Sequence, residues 1–145
     1  MMASRLCIFC LAAAFFGGAT PALAQESTAP ALALTLNSQE TTEAGGCRLT
    51  FVLRNDLGAA LERLVAEAVL FDAAGRVASL TLFDFGALPE GRPRVRQFDL
   101  AGQGCDGISG VLINGIGTCD GAGIAPGACL AALRLSSDTG IEVTG

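Results

Sequence analysis

The chain has 145 residues, with nine arginines and no lysine against fourteen carboxylates, for a net charge of −5; histidine, tryptophan and tyrosine are absent. A mildly acidic chain has no general attraction to nucleic acid or anionic lipid. Without histidine or lysine it lacks the usual triad base, the commonest metal ligand and the amine needed for Schiff-base chemistry.

Residues 1–24 read as a secretory signal peptide. Arg5 supplies a basic start, Leu6–Ala19 an apolar run and Ala22-Leu23-Ala24 a small-residue exit before Gln25. The run is shorter than the roughly 20 residues of a membrane span, which disfavours the rival reading of an uncleaved anchor. Gln25, where a lipoprotein would carry cysteine, argues against lipidation. Cleavage leaves 121 residues with eight arginines and fourteen carboxylates, a net charge of −6. No later segment is apolar enough to span a membrane. Arginine as the sole basic residue, with abundant alanine and glycine, suggests a GC-rich bacterial genome. The expected location is therefore the periplasm, or outside the cell.

Residues 25–30 are polar and small and read as a flexible lead into one domain, 31–145. Ala31–Leu36 alternates and predicts a strand, followed by a loop over Asn37–Gly46. Cys47–Arg54 is the clearest strand, with Cys47, Leu49, Phe51 and Leu53 on one face and Arg48, Thr50, Val52 and Arg54 on the other. One dry and one wet face is the pattern of an antiparallel sheet. Asn55-Asp56-Leu57-Gly58 is a turn sequence. Ala59–Ala68 has helical spacing at Leu61, Leu64, Val65 and Ala68, yet Val65–Phe71 runs into the tight turn Asp72-Ala73-Ala74-Gly75 and a further strand at Arg76–Phe83. A hairpin, with at most one helical turn before it, is the favoured reading.

Gly86–Pro93 is a loop with two prolines, and Arg94–Leu100 is a strand. Arg94 and Arg96 share parity with Phe98 and Leu100, so a bulge near Arg96-Gln97 is expected to return Val95, Phe98 and Leu100 to one face. Ile108–Ile113 suits a buried strand ended by Asn114-Gly115. Cys119–Pro126 is glycine-rich loop. Pro126 is placed to open a helix over Ala128–Leu135 that turns Cys129, Leu130 and Leu133 inward, and Ile141–Val143 adds a last short strand.

Cys47, Cys105, Cys119 and Cys129 are even in number and belong to an exported chain, so they read as two disulfides. Of three possible pairings, Cys47–Cys105 with Cys119–Cys129 is preferred. The start of the Cys47 strand can lie beside the end of the Arg94 strand, close to Cys105. A straight strand from Cys105 to Cys119, by contrast, carries those two far apart at about 3.3 Å per residue. A zinc site or redox pair would need a C-x-x-C or a histidine, and residues 25–145 contain neither.

Asp138-Thr139-Gly140 copies the tripeptide of retroviral-type aspartic proteases, but no room remains for a flap and a turn explains it. Glu40 with Glu43, or Asp72 with Asp84, are formal candidates for a glycosidase pair; solvated loop carboxylates are the simpler reading. Asp106-Gly107 and Asp120-Gly121 continue into no alternating oxygen-ligand loop and read as turns. Arg92, Arg94 and Arg96 form the one local basic stripe. They are a possible partner contact, set against ordinary protection of an edge strand by charge. No metal or other cofactor is expected.

The stretch from Cys47 to Asp99 resembles the immunoglobulin-like domains of bacterial exported and envelope proteins, the FxLYD-like group among them. The matching pieces are Phe51-Val52-Leu53-Arg54-Asn55, Val69-Leu70-Phe71-Asp72-Ala73-Ala74-Gly75, Leu88-Pro89-Glu90-Gly91 and Gln97-Phe98-Asp99-Leu100. The C-terminal part resembles small uncharacterised exported proteins of alphaproteobacteria. The resemblance implies an all-β, immunoglobulin-like antiparallel sandwich with a short C-terminal helix, and implies no activity, because sandwiches host many. The expected function is a non-catalytic module that binds another periplasmic or envelope protein or supports an envelope assembly. A small exported inhibitor of a protease or lysozyme is the alternative, with Gly86–Pro93 or Cys119–Cys129 as its wedge. An enzyme working with carboxylates alone is the third.

Overall fold

The computed structural model describes residues 29–145, so the leader and most of the segment before the first strand lie outside the described residues. Eight strands form two four-stranded sheets. In chain order they are β1 (Ala31–Thr41), β2 (Cys47–Asp56), β3 (Leu61–Asp72), β4 (Val77–Leu88), β5 (Arg94–Leu100), β6 (Ile108–Asp120), β7 (Leu133–Ser137) and β8 (Glu142–Thr144). A single-turn helix, α1 (Ala128–Ala131), precedes β7. Sheet A has the order β5-β2-β1-β7 and sheet B the order β4-β3-β6-β8. The chain crosses between sheets after β2, β4, β5, β6 and β7, so neither sheet forms alone. The orders β5-β2-β1 and β4-β3-β6 match strands E-B-A and C′-C-F of an immunoglobulin-type sandwich.

The alternation in β2 is borne out residue by residue. Cys47, Leu49, Phe51 and Leu53 are all buried, and they meet Leu32, Leu34 and Leu36 of β1 across the sheet's inner face. From sheet B, Leu64, Ala66, Ala68 and Leu70 of β3 and Phe83 and Phe85 of β4 complete the core. Phe51 and Phe98 of sheet A lie against Phe83 and Phe85 of sheet B, with the Phe83–Phe98 centroids 4.6 Å apart and Phe85–Phe98 edge-on at 5.3 Å. Tilted and edge-on pairs favour the rings' quadrupoles beyond the area they bury, so this cluster helps fix how the sheets face one another.

Both expected disulfides are present. Cys47–Cys105 spans a Cα–Cα distance of 4.7 Å and Cys119–Cys129 one of 6.1 Å. Cys47 pairs with Leu100 at the end of β5, and this brings Cys105 within reach after a five-residue step.

Several local expectations are corrected. β1 continues to Thr41 because a register shift at Asn37, between the Leu36 and Ser38 pairs, lets it follow β2 to its end. Residues 59–60 form no helical turn, and β3 is strand from Leu61. β6 runs straight through Asn114-Gly115 to Asp120, because β3 offers a ladder along its whole length and absorbs the turn-prone residues as register shifts. α1 is four residues long, and Leu130 points outward while Cys129 is buried. Leu133 and Leu135 belong instead to β7, where they pair with Leu32 and Leu34 of β1. The sheets are not wholly antiparallel: β1–β7 and β6–β8 are parallel pairs. Parallel neighbours need a long connection, and the disulfide-closed stretch between β6 and β7 supplies the crossing into sheet A.

Candidate functional site

The carboxylates do not converge. Asp72 is committed to the β3–β4 turn, where its Oδ1 accepts from the Ala74 and Arg76 amides at 2.9 Å each and its Oδ2 from the Arg76 guanidinium at 3.0 Å. Those bonds hold its carboxyl below the usual range. Asp84 accepts from Arg63 at 2.7 Å and from the Gly86 amide at 3.0 Å, with the same consequence. Asp84 pairs with Val65, seven strand residues from Asp72, so the two acids lie roughly 23 Å apart along the hairpin. Glu40 lies near Arg48, whose guanidinium holds Asp99 in two parallel bonds of 2.7 and 2.8 Å. Asp138 accepts from Asn37 at 3.2 Å, and the Thr139 and Ser137 hydroxyls bond to each other and to the Ile141 carbonyl, so Asp138-Thr139-Gly140 makes the turn between β7 and β8. Asp106 lies in a single 3-10 turn and Asp120 ends β6. Among the described residues no group of three or more acids and cysteines gathers as a metal site would require.

The arginine stripe is divided. β5 pairs with β2 without a break from Arg94–Leu53 to Leu100–Cys47, so the expected bulge is absent and Val95 faces out. Arg94 and Arg96 share the inner side with Phe98 and Leu100, and long aliphatic stems let their charged heads leave the gap between the sheets. Arg96 reaches across to β4, donating from Nε to the Phe85 carbonyl at 2.7 Å and from Nη2 to the Ala87 carbonyl at 3.2 Å. Arg94 turns back on the Pro93 carbonyl at 3.2 Å, and Arg92 is exposed before β5. Arg96 therefore closes the seam between the two edge strands, and the three arginines form no common cationic patch.

Sequence reasoning passed over the outer face of sheet B. Leu80 and Leu82 of β4 are 75 % and 64 % exposed, and Val77 is 59 % exposed. Leu80 pairs with Val69 of β3, which pairs in turn with Leu112 of β6, so an apolar row crosses three strands on the solvent side. Beside it the β6 partners of Phe71 and Glu67 are Gly110 and Gly115, and glycines there keep the face low. Shallow depressions of about 210 and 260 Å³ flank the row. The available signal was the uncharged run Val77-Ala78-Ser79-Leu80-Thr81-Leu82-Phe83, in which apolar residues sit on both parities.

A second apolar recess opens at one end of the sandwich. Pro30 and Leu57 face Ile124, Ala128, Ala131 and Ala132 across about 430 Å³, on the loop closed by Cys119–Cys129. At the same end Gly86–Pro93 is pinned to Asn55, whose carbonyl accepts from the Gly91 amide at 2.7 Å.

No family model, curated protein or solved structure matches the chain.

Proposed function

We propose that the chain is an exported, non-catalytic immunoglobulin-like module that binds another periplasmic or envelope protein, or supports an envelope assembly. The observation that carries this reading is the flat apolar face of sheet B, where Leu80 and Leu82 stand open to solvent. Exposed apolar surface that continues across several strands marks contact sites more often than isolated leucines do. The carboxylates are dispersed over turns and ion pairs, which supports binding over acid chemistry. The signal-like start, the two disulfides and the likeness to FxLYD-like domains support export and the module class.

The test is capture from periplasm with the mature protein and with a Leu80→Lys/Leu82→Lys variant side by side. A specific companion held by the first and lost by the second supports the reading. Equal recovery by both overturns it. The stapled, pinned loops at the Pro30 end favour the alternative of an inhibitor. In that case a lysozyme or protease is slowed by the mature protein and recovers when Gly86–Pro93 or the Cys119–Cys129 loop is altered.

A further inference from the structure

We propose that β4 pairs with β4 of a second copy of this chain, antiparallel about a two-fold axis at Leu80, so that two B sheets join edge to edge. This rests on reading the sheet B face as a docking surface and names its occupant. Among the described residues β3 is β4's one hydrogen-bonded neighbour in the sheet, and β4 is an edge strand. Arg96 covers the outer flank of β4 at Phe85 and Ala87. The stretch Val77–Phe83 has no such cover, and it carries neither the charge nor the proline with which edge strands are usually blunted.

The charges bounding that stretch select the occupant. Arg76 stands at one end and Asp84 at the other. Antiparallel pairing centred on Leu80 places each copy's Arg76 opposite the other's Asp84 and sets Leu80 against Leu80. Parallel pairing in register would oppose like charges, which is destabilising. A self-complementary patch repeated on both partners is what a two-fold interface requires. Both groups retain bonding capacity. The Arg76 side chain is 79 % exposed and spends Nε and Nη2 on Asp72, leaving Nη1. The Asp84 side chain is 47 % exposed beyond its bond to Arg63. The irregularity at Ala78, between the Leu70–Ser79 and Phe71–Val77 pairs, confines the regular ladder to the Leu80 centre and leaves its ends to the ion pairs.

Sedimentation equilibrium of the mature protein over a dilution series tests the proposal. The expected result is a mass of two chains that falls towards one on dilution. Leu80→Lys, which places two lysines face to face, weakens association about tenfold or more. Leu130→Lys, an exposed leucine on α1, leaves it unchanged. Asp84→Arg alone weakens it, and adding Arg76→Asp restores it. This rescue separates a cross-copy pair from simple loss of the Arg63 contact. The mass of one chain at every concentration overturns the proposal, as does a dimer indifferent to Leu80→Lys. One-chain mass combined with loss of a captured companion in the Leu80→Lys/Leu82→Lys variant overturns the second copy and keeps the broader reading. One-chain mass with no such loss overturns both.

Discussion

Asn55 is the one fully buried polar side chain in the core. Its Nδ2 donates to the Ala59 carbonyl at 2.8 Å and the Leu88 carbonyl at 3.0 Å, and its Oδ1 accepts from the Leu57 amide at 3.1 Å. One side chain thus ends β2, shapes the step into β3 and ties down the end of β4. Asn55→Ala strands two carbonyls and an amide, and we expect a loss of roughly 2–4 kcal/mol in urea unfolding. An unchanged midpoint would mean that water replaces all three bonds. Asp at this position is no substitute, because it offers no donor to the two carbonyls. Arg96 plays the matching part for β4 from the opposite sheet: one planar head spans two carbonyls two residues apart, which a lysine cannot do with the same geometry.

Among the elements, the β3–β4 hairpin and the β2–β5 pair carry aspartates whose folded acidity differs from their unfolded acidity. Asp72 is held low by backbone bonds from Arg76 and Ala74 and by the Arg76 side chain, Asp84 by Arg63 and Asp99 by Arg48. Each is lowered on folding, so its contribution is complete above the unfolded aspartate range and disappears as pH falls through the folded value. The melting temperature should hold steady from neutral pH down to about pH 5 and decline below about pH 4. Asp99→Asn should flatten part of that decline; an identical acid profile would show that the Arg48 pair contributes nothing measurable, as many exposed pairs do.

The same elements show what sequence pattern can and cannot reveal. β2 has an unbroken register with β5 over Cys47–Leu53, and its alternation reads cleanly. β3 does not, because register shifts between Leu61, Leu64 and Val65 reverse its parity. Leu61 and Leu64, three apart, both turn inward and imitate a helical stripe. Asn37 in β1 and Asn114-Gly115 in β6 are turn residues in isolation, but an adjacent strand overrides them by accepting one extra residue in the ladder. The disulfide pairing was legible because it depended on strand geometry alone. The apolar face of sheet B was not, because which side of β4 meets solvent is decided by the opposing sheet.

At the scale of the molecule, the two disulfides do unequal work. Cys47–Cys105 closes a separation of 58 residues and Cys119–Cys129 one of 10. In the chain-entropy model these are worth about 4 and about 3 kcal/mol. Cys47→Ser/Cys105→Ser should therefore lower the denaturation midpoint more than Cys119→Ser/Cys129→Ser. The second pair should instead loosen the wall of the recess beside Pro30, seen as faster amide exchange over Gly123–Ala132. The reverse order of midpoints would show that the short loop constrains the native state more than the unfolded one. The folded mature protein should present no thiol to a labelling reagent until reductant is added.

The parallel alignment of β1 with β7 has a consequence for the order of events after synthesis. The Leu32 amide donates to the Ala132 carbonyl at 2.9 Å, and Leu32–Leu36 lies beside Leu133–Ser137, so the first strand to emerge has for its flank almost the last. A polypeptide threaded through a narrow exit from its amino end would have β1 and β2 waiting outside, one side of β1 unsatisfied, until the tail follows. Closure of the sandwich is thereby coupled to completed passage, and a molecule stalled short of Leu133 would be left with an open seam for a chaperone or protease to find.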